Sequence, residues 1–181
     1  AKRVGVRAVG TSYGRVVIFL GIDPGKDGAI VAIDANGRTV KSILSAKDFT
    51  VKVTKGGKKN YLEREMGVAI DRLICEHGIQ LAVLEKQQAR PGQGVTSTFQ
   101  TGLGYGLWRG ILGALCVPTK VVHPKTWQKS VLRDAPGDGK GRAIMVCQQR
   151  LPDLDLKPGR RQKPHDGLAD AGCMALYALE C

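Results

Sequence analysis

Aromatic residues are scarce in this chain, and long apolar runs are absent. Phe, Trp and Tyr make up 5% of the 181 residues, so the core must be mostly aliphatic. The longest apolar stretch, residues 16–22, contains Gly21 and is followed by Asp23. It is too short to span a bilayer and is typical of a buried strand. The length suits one domain with a sizeable core.

Paired cysteine motifs are also missing. The five cysteines are Cys75, Cys116, Cys147, Cys173 and Cys181. Their odd number and the lack of C-x-x-C spacing argue against a disulfide framework and against a zinc site. We expect reduced, mostly buried thiols in an intracellular compartment.

Acidic residues are the minority charge. Lys and Arg number 28 against 16 Asp and Glu, which gives a formal charge of +12 and a pI near 9.7. A polyanionic partner explains this balance, with nucleic acid favoured over an acidic membrane surface. The alternative is a basic, solvated surface, but the basic residues cluster with glycines instead of spreading evenly.

Strand and helix patterns alternate along most of the chain. Residues 1–15 are predicted to be a basic flexible tail, and residues 16–181 a single domain. Asn36-Gly37 indicates a hairpin. The spaced glycines of residues 102–115 favour close packing, either on the sheet or at a dimer seam, and the two tryptophans are expected in the core or at its edge. The predicted strands are residues 16–23, 29–34, 39–44, 49–53, 81–85 and 120–122. The predicted helices are residues 61–77, 99–115, 124–132, 142–151 and 165–180, with a glycine-rich loop at 89–98. This order predicts a mixed α/β domain with helices on both faces of one sheet.

Two predicted strands end on an acid. Asp23 closes the first and is followed by Pro24-Gly25, and Glu85 closes the strand at 81–85. A carboxylate at a buried strand end costs desolvation free energy unless a cation or another partner compensates it. A plain turn or a surface glutamate would also explain each residue alone.

Two more acids lie on the last predicted helix. Asp166 and Asp170 are four residues apart and therefore share one helix face, where their like charges repel. Asp166 would gain from the helix N-terminal dipole, whereas Asp170 lies one turn deeper beside apolar residues. His165 could orient water, assist a metal or cap the helix.

Together these residues predict up to four carboxylates converging from two strand ends and one helix. All-oxygen ligation is preferred by Mg²⁺ and Mn²⁺. Two such ions can activate water and stabilise the leaving oxygen in phosphodiester hydrolysis.

In this order, Asp23, Glu85, His165-Asp166 and Asp170 resemble the catalytic layout of RuvC-like Holliday junction resolvases. The segments 88–110, 124–129 and 165–170 resemble the branch that holds phage-type resolvases and the chloroplast resolvases of plants and algae. The resemblance covers residues 17–179.

This resemblance implies an RNase H-like fold with a mixed five-stranded sheet, a homodimer and two Mg²⁺ per active site, for which Mn²⁺ substitutes. It implies paired, symmetric nicks in a four-way DNA junction, and a chloroplast location or, alternatively, a bacterial or phage cytoplasm. By position Asp23, Glu85, Asp166 and Asp170 would be the metal ligands. Family members often carry Glu where Asp170 stands and Arg where Leu168 stands. Asp170 still supplies an acid, with a shorter reach, so the resemblance does not fix the exact metal geometry.

Several polar residues are candidates for DNA contact. Lys129 and Lys140 match family positions near the scissile phosphate, where a cation would offset developing charge; phosphate anchoring or solubility would explain them equally well. Amide and guanidinium groups after Glu85 suit base-edge recognition; these are Gln87, Gln88, Arg90 and Gln93, together with Lys86. Basic groups elsewhere are candidates for holding duplex arms through phosphates; these are Lys58, Lys59, Arg160, Arg161 and Lys163.

Three other function classes fit part of the pattern. Asp23-Pro-Gly with Gly28 also resembles the phosphate-binding hairpin of kinase-like ATPases, but those proteins need two such domains and the charge fits poorly. A non-catalytic branched-DNA-binding module is disfavoured by the intact set of acids. An RNase H-like nuclease acting on RNA or an RNA–DNA hybrid differs from a resolvase only in substrate, and the glycine–glutamine loop favours the junction.

Overall fold

A computed structural model describes residues 15–52, 59–89, 91–137 and 139–181 of the chain. The strands are β1 (Val17–Ile22), β2 (Ala29–Asp34), β3 (Thr39–Leu44), β4 (Thr50–Lys52), β5 (Lys59–Tyr61), β6 (Gly78–Glu85) and β7 (Thr119–Val122). The helices are α1 (Ser45–Asp48), α2 (Glu63–Glu76), α3 (Val95–Ala114), α4 (Pro124–Val131), α5 (Gly139–Arg150) and α6 (Asp166–Leu179).

Five strands form one mixed sheet in the order β3-β2-β1-β6-β7. The first three are antiparallel, whereas β6 and β7 run parallel to β1. The predicted hairpin joins β2 to β3: the Gly37 N–H donates to the Asp34 carbonyl at 3.0 Å, with Gly37 at φ 76°. The mixed five-stranded sheet is therefore confirmed.

Helices cover both faces of this sheet, as predicted. On one face α2 and α3 pack against Ile18, Leu20 and Ile22 of β1. On the other, α4, α5 and α6 pack against alternate residues of β2. Strands buried on both faces read as continuous apolar runs, which is why the central strands were recognisable. Trp108 and Trp127 lie in these two cores, 1% and 0% exposed, so the core prediction for the tryptophans is confirmed.

The predicted strand at residues 49–53 is not part of the antiparallel set of the main sheet. Here β4 pairs with β5 in a separate two-stranded sheet, after the one-turn helix α1. Phe49 is buried and meets the ring of Trp108 edge to face at 5.4 Å. Burial of this ring against α3 directs the chain away from the edge of the main sheet.

Three helix starts also differ from the prediction. Helix α5 begins at Gly139, three residues before the predicted start at Arg142. Tyr61 belongs to β5, and α2 begins at Glu63. Helix α3 begins at Val95, inside the loop predicted at 89–98, and the Thr98 N–H already donates to the Gly94 carbonyl at 3.0 Å. The β-branched and hydroxyl residues of this turn have weak helix propensity, so local preference concealed it.

The cysteines are free, but only Cys147 and Cys173 are buried, so the expectation of mostly buried thiols was wrong for the other three. Within the described ranges, no helix has the length and apolar character needed to cross a membrane. The predicted tail at residues 1–15, apart from Arg15, lies outside the described residues, as do Lys58, Arg90 and the side chains of Lys59 and Lys140.

Candidate active site

The two strand-end acids leave the sheet at the same edge. Strands β1 and β6 are parallel neighbours, with Ile22 opposite Leu84. Asp23 follows Ile22, and Glu85 follows Leu84 as the last residue of its strand. The two strands are therefore direct neighbours, and their acids leave the sheet side by side.

Helix α6 reaches this edge because Gly21 lets it approach β1 closely. A Cβ atom at Gly21 would run into the carbonyl oxygen of Ala171 and the backbone nitrogen of Ala175. The helix lies across β1, β2 and β6. This backbone contact sets how closely α6, which carries Asp170, lies to the end of β1. Asp23 follows Gly21 by two residues at that end.

A second close contact joins the start of α6 to the turn after β1. A Cβ at Gly167 would lie 2.7 Å from the Asp27 carbonyl oxygen and 2.9 Å from the Cα of Gly28. Within the turn, the Gly25 N–H donates to Oδ1 of Asp23 at 3.2 Å, and the Asp23 N–H donates to the Ala29 carbonyl at 3.0 Å. The hydrogen bonds that form the turn therefore also fix the position of Asp23.

These elements enclose an open cleft of about 530 Å³. Its acidic lining comes from Asp23, Asp27, Asp166 and Asp170, and Arg161 and His165 also border it. Three of the four predicted acids therefore share one cavity, together with Asp27, which the sequence analysis did not select.

Glu85 lines a different groove, of about 420 Å³, at the end of β6. Lys86, Gln87 and Gln88 border the same groove, as does Lys125. The carboxylate accepts hydrogen bonds from Gln87 Nε2 and from the indole Nε1 of Trp127, each at 3.1 Å. Glu85 therefore lies at the predicted sheet edge, and Gln87 and Trp127 hold its carboxylate.

The donor chemistry of the cleft suits a hard divalent cation. Its acidic side chains supply carboxylate oxygens, and no thiol of the described residues lines it. Among the described residues, however, no three His, Cys, Asp or Glu side chains already form a metal-holding group. Mg²⁺ commonly takes one or two protein carboxylates and completes its shell with water and other oxygen ligands, so this open donor set fits such a cation.

His165 caps the helix that carries two of the acids. Its Nδ1 accepts the N–H of Leu168 at 3.3 Å, and the side chain is only 6% exposed. Burial lowers the pKa of His165, and the charge of Arg161 lowers it further, whereas Asp166 and Asp27 act in the opposite direction. A neutral imidazole is what an accepting Nδ1 requires, so of the roles considered for His165 the structure places it in the cap.

Tyr61 lies beside the same turn and was not found from the sequence. Burial, and then the nearby Asp23 and Asp27 carboxylates, raise the pKa of Tyr61 to about 12. Lys26, in the turn, lies 5.2 Å from the Tyr61 ring centre and donates to Gln100 of α3 at 2.6 Å. These contacts tie the turn to β5 and to α3.

The remaining predicted residues that the structure describes border neither the acidic cleft nor the groove of Glu85. Lys129 lies in a separate groove with Lys125, Arg133 and Tyr177, not in the acidic cleft. Gln93 donates to the hydroxyls of Ser97 and Thr101 in the first turns of α3. Arg160 and Lys163 are exposed on the segment before α6. Their DNA roles stay predictions.

Sheet order, flanking helices and the edge that carries the acids define an RNase H-like fold. A structure of Thermus thermophilus RuvC in complex with a Holliday junction substrate is similar at a TM-score of 0.58, with 15% identity over 90% of each chain. Another structure of Thermus thermophilus RuvC gives 0.55 and 17% identity, covering 89% of this chain and 91% of that one. The yeast mitochondrial Holliday junction resolvase gives 0.50 and 13% identity, covering 91% and 78%. No protein-family model and no curated protein sequence matches the chain.

Proposed function

We propose that this protein is a structure-selective endonuclease that resolves four-way DNA junctions by paired, symmetric nicks. The observation that carries the proposal is the cleft that gathers Asp23, Asp166 and Asp170 at the edge of a RuvC-like sheet, with Glu85 on the next strand. The structurally similar proteins support it, because two of them are described as a Holliday junction complex and a Holliday junction resolvase.

Asp23, Glu85, Asp166 and Asp170 would hold two Mg²⁺ ions, with Mn²⁺ as a substitute. Bound there, the ions would activate the attacking water and stabilise the leaving 3′ oxygen. The chain's own contribution is placement: the Gly25 N–H holds one oxygen of Asp23. Gln87 and Trp127 hold Glu85. His165 caps the helix that carries the other two acids.

Basic and amide groups around the clefts would position the DNA. Lys86, Gln87 and Gln88 border the groove of Glu85, and Arg161 borders the acidic cleft. Phosphate contacts set the orientation of the DNA, while amide groups can read base edges. Lys129 and Lys140 remain candidates for charge near the scissile phosphate.

Paired nicks require two active sites, and α3 offers a surface for a second copy of this chain. Val95, Phe99 and Leu103 recur every four residues and are 87%, 65% and 38% exposed. Nothing lies within 4 Å of a Cβ built at Gly102, Gly106 or Gly110. Small residues next to an apolar stripe allow two helices to pack closely, so we propose a homodimer through α3.

Labelled four-way junctions test the proposal. Wild-type protein should make symmetric nicks with Mg²⁺ and none without it, and should leave a linear duplex and an RNA–DNA hybrid intact. Asp23→Asn and Asp170→Asn should each abolish cutting while junction binding persists. Asp71→Asn, at an exposed acid on α2, is the matched control and should cut normally.

Two outcomes would replace the proposal. Tight junction binding without Mg²⁺-dependent cutting would indicate a non-catalytic branched-DNA-binding module. Equal cutting of the RNA–DNA hybrid would indicate an RNase H-like nuclease of broader substrate range.

A further inference from the structure

The indole of a buried tryptophan, Trp127 of α4, holds the carboxylate of Glu85. Nε1 of Trp127 donates to Glu85 Oε1 at 3.1 Å, while Gln87 Nε2 donates to Oε2 at 3.1 Å. Trp127 is 0% exposed and lies in the core with Val83 and Val122. The two oxygens therefore receive donors from two different segments, and one donor is fully buried.

The position of this indole is determined by the start of α4. Val122 of β7 pairs with Glu85 in the sheet. His123 follows and caps α4, its Nδ1 accepting the Lys125 N–H at 3.3 Å, and Pro124 occupies the first turn. The sheet register, the cap and the proline leave little freedom in where Trp127 lies, so its N–H is a preorganised donor.

We infer that Trp127 is a positioning residue for the candidate metal site: it holds the Glu85 carboxylate in one orientation from which a cation can be bound. The inference rests on the proposed metal-dependent function. Groups that hydrogen-bond to a metal ligand orient it, and their removal typically lowers metal affinity about 10- to 100-fold.

Trp108 provides a matched comparison within the same protein. It is 1% exposed and packs in the core on the opposite face of the sheet. Its Nε1 has no hydrogen-bond partner among the described residues. Trp→Phe at either position removes a similar volume from a core, but only Trp127→Phe removes a donor to a candidate ligand.

Mn²⁺ binding to the DNA-free protein, followed by electron paramagnetic resonance, tests the inference without relying on activity. We expect Trp127→Phe to weaken Mn²⁺ binding about tenfold or more and Trp108→Phe to leave it unchanged. Equal affinity in wild type and Trp127→Phe, or equal weakening in both variants, would overturn the inference. Failure of the wild type itself to bind Mn²⁺ would overturn the metal site and this inference with it.

An NMR measurement that leaves Trp127 in place covers the case in which Trp127→Phe does not fold. The two tryptophans give two indole N–H signals in a ¹⁵N-labelled sample, and Trp108→Phe identifies the signal of Trp127. Added Mg²⁺ should shift the Trp127 signal and leave that of Trp108 in place, and Glu85→Gln should remove this response. The inference would be contradicted if Mg²⁺ shifted the backbone amide signals around Asp170 but left the Trp127 indole signal unchanged.

Discussion

Tyr61 is buried in the core and lies close to the carboxylates of Asp23 and Asp27 in the acidic cleft. The side chain is 6% exposed, and its ring contacts Lys26 of the turn that follows Asp23. Burial and two carboxylates both disfavour a phenolate, so the neutral form is the one that the fold accommodates. The pKa of Tyr61 therefore depends on the charge of the cleft carboxylates.

Tyr61 should make the protein lose stability in alkali. Its pKa is raised from 10.0 to about 12, so its contribution is fully present below pH 10 and is lost as the pH rises towards 12. The free energy of unfolding, measured by urea denaturation, should fall more steeply over this window in wild type than in Tyr61→Phe. Parallel curves for the two proteins would show that the phenol is not held neutral.

Individual site residues differed in how visible they were in the sequence. Asp23, Glu85, Asp166 and Asp170 stood out because strand ends and i, i+4 spacing are local patterns. Asp27 lies in the same short turn as Asp23, but it neither ends a strand nor shares a helix face with another acid, so no local pattern marked it. Trp127 could not be assigned, because its acceptor lies 42 residues away in the chain.

Among the elements, the contact between α6 and β1 decides where the acids lie. Gly21 and Gly167 each remove a side chain that would collide with backbone atoms of the opposing element. Backbone atoms cannot rotate away as side chains do, so neither position tolerates a Cβ without movement of the helix. The distance between Asp23 and Asp170 therefore depends on glycine at position 21.

Alanine substitutions at two glycines should have opposite effects. Gly21→Ala should destabilise the protein by about 1–3 kcal/mol through overpacking, and should weaken cleavage because α6 shifts. Gly67→Ala, inside α2 with open space around the new Cβ, should stabilise it by about 0.5–1 kcal/mol through helix propensity. Thermal unfolding of both variants measures the contrast, and a neutral Gly21→Ala would mean that α6 is not held by this contact.

At the scale of the whole molecule, a basic protein concentrates carboxylates at one sheet edge. The formal charge of +12 favours approach to a polyanion, while the acidic cleft would repel a phosphate unless cations bind first. This arrangement explains why a nucleic-acid partner and a divalent metal belong to one proposal. In the proposed homodimer, the exposed apolar residues of α3 would join a second copy of the chain and would place two clefts on one junction.

Phe99→Glu should convert the proposed homodimer into a monomer. A charge in the middle of an apolar stripe loses its water on association without gaining a partner. Val68→Glu on α2, where the valine is 36% exposed, is the control and should remain dimeric in sedimentation velocity measurements. With a labelled junction, the monomeric variant should give single nicks instead of paired ones. A dimer that survives Phe99→Glu would place the interface elsewhere.

The amino-acid sequence alone determined the local features of this protein. The buried strands, the hairpin, the acids at strand ends and the pair on the last helix all follow from the order of neighbouring residues, because period and turn chemistry act over a few positions. Only the tertiary structure decided that β1 and β6 are neighbours and that α6 lies against Gly21. It also decided that Asp27 joins the cleft, that Phe49 directs β4 away from the sheet and that the indole of Trp127 meets Glu85. Those contacts join segments far apart in the chain, and packing of the whole core selects them.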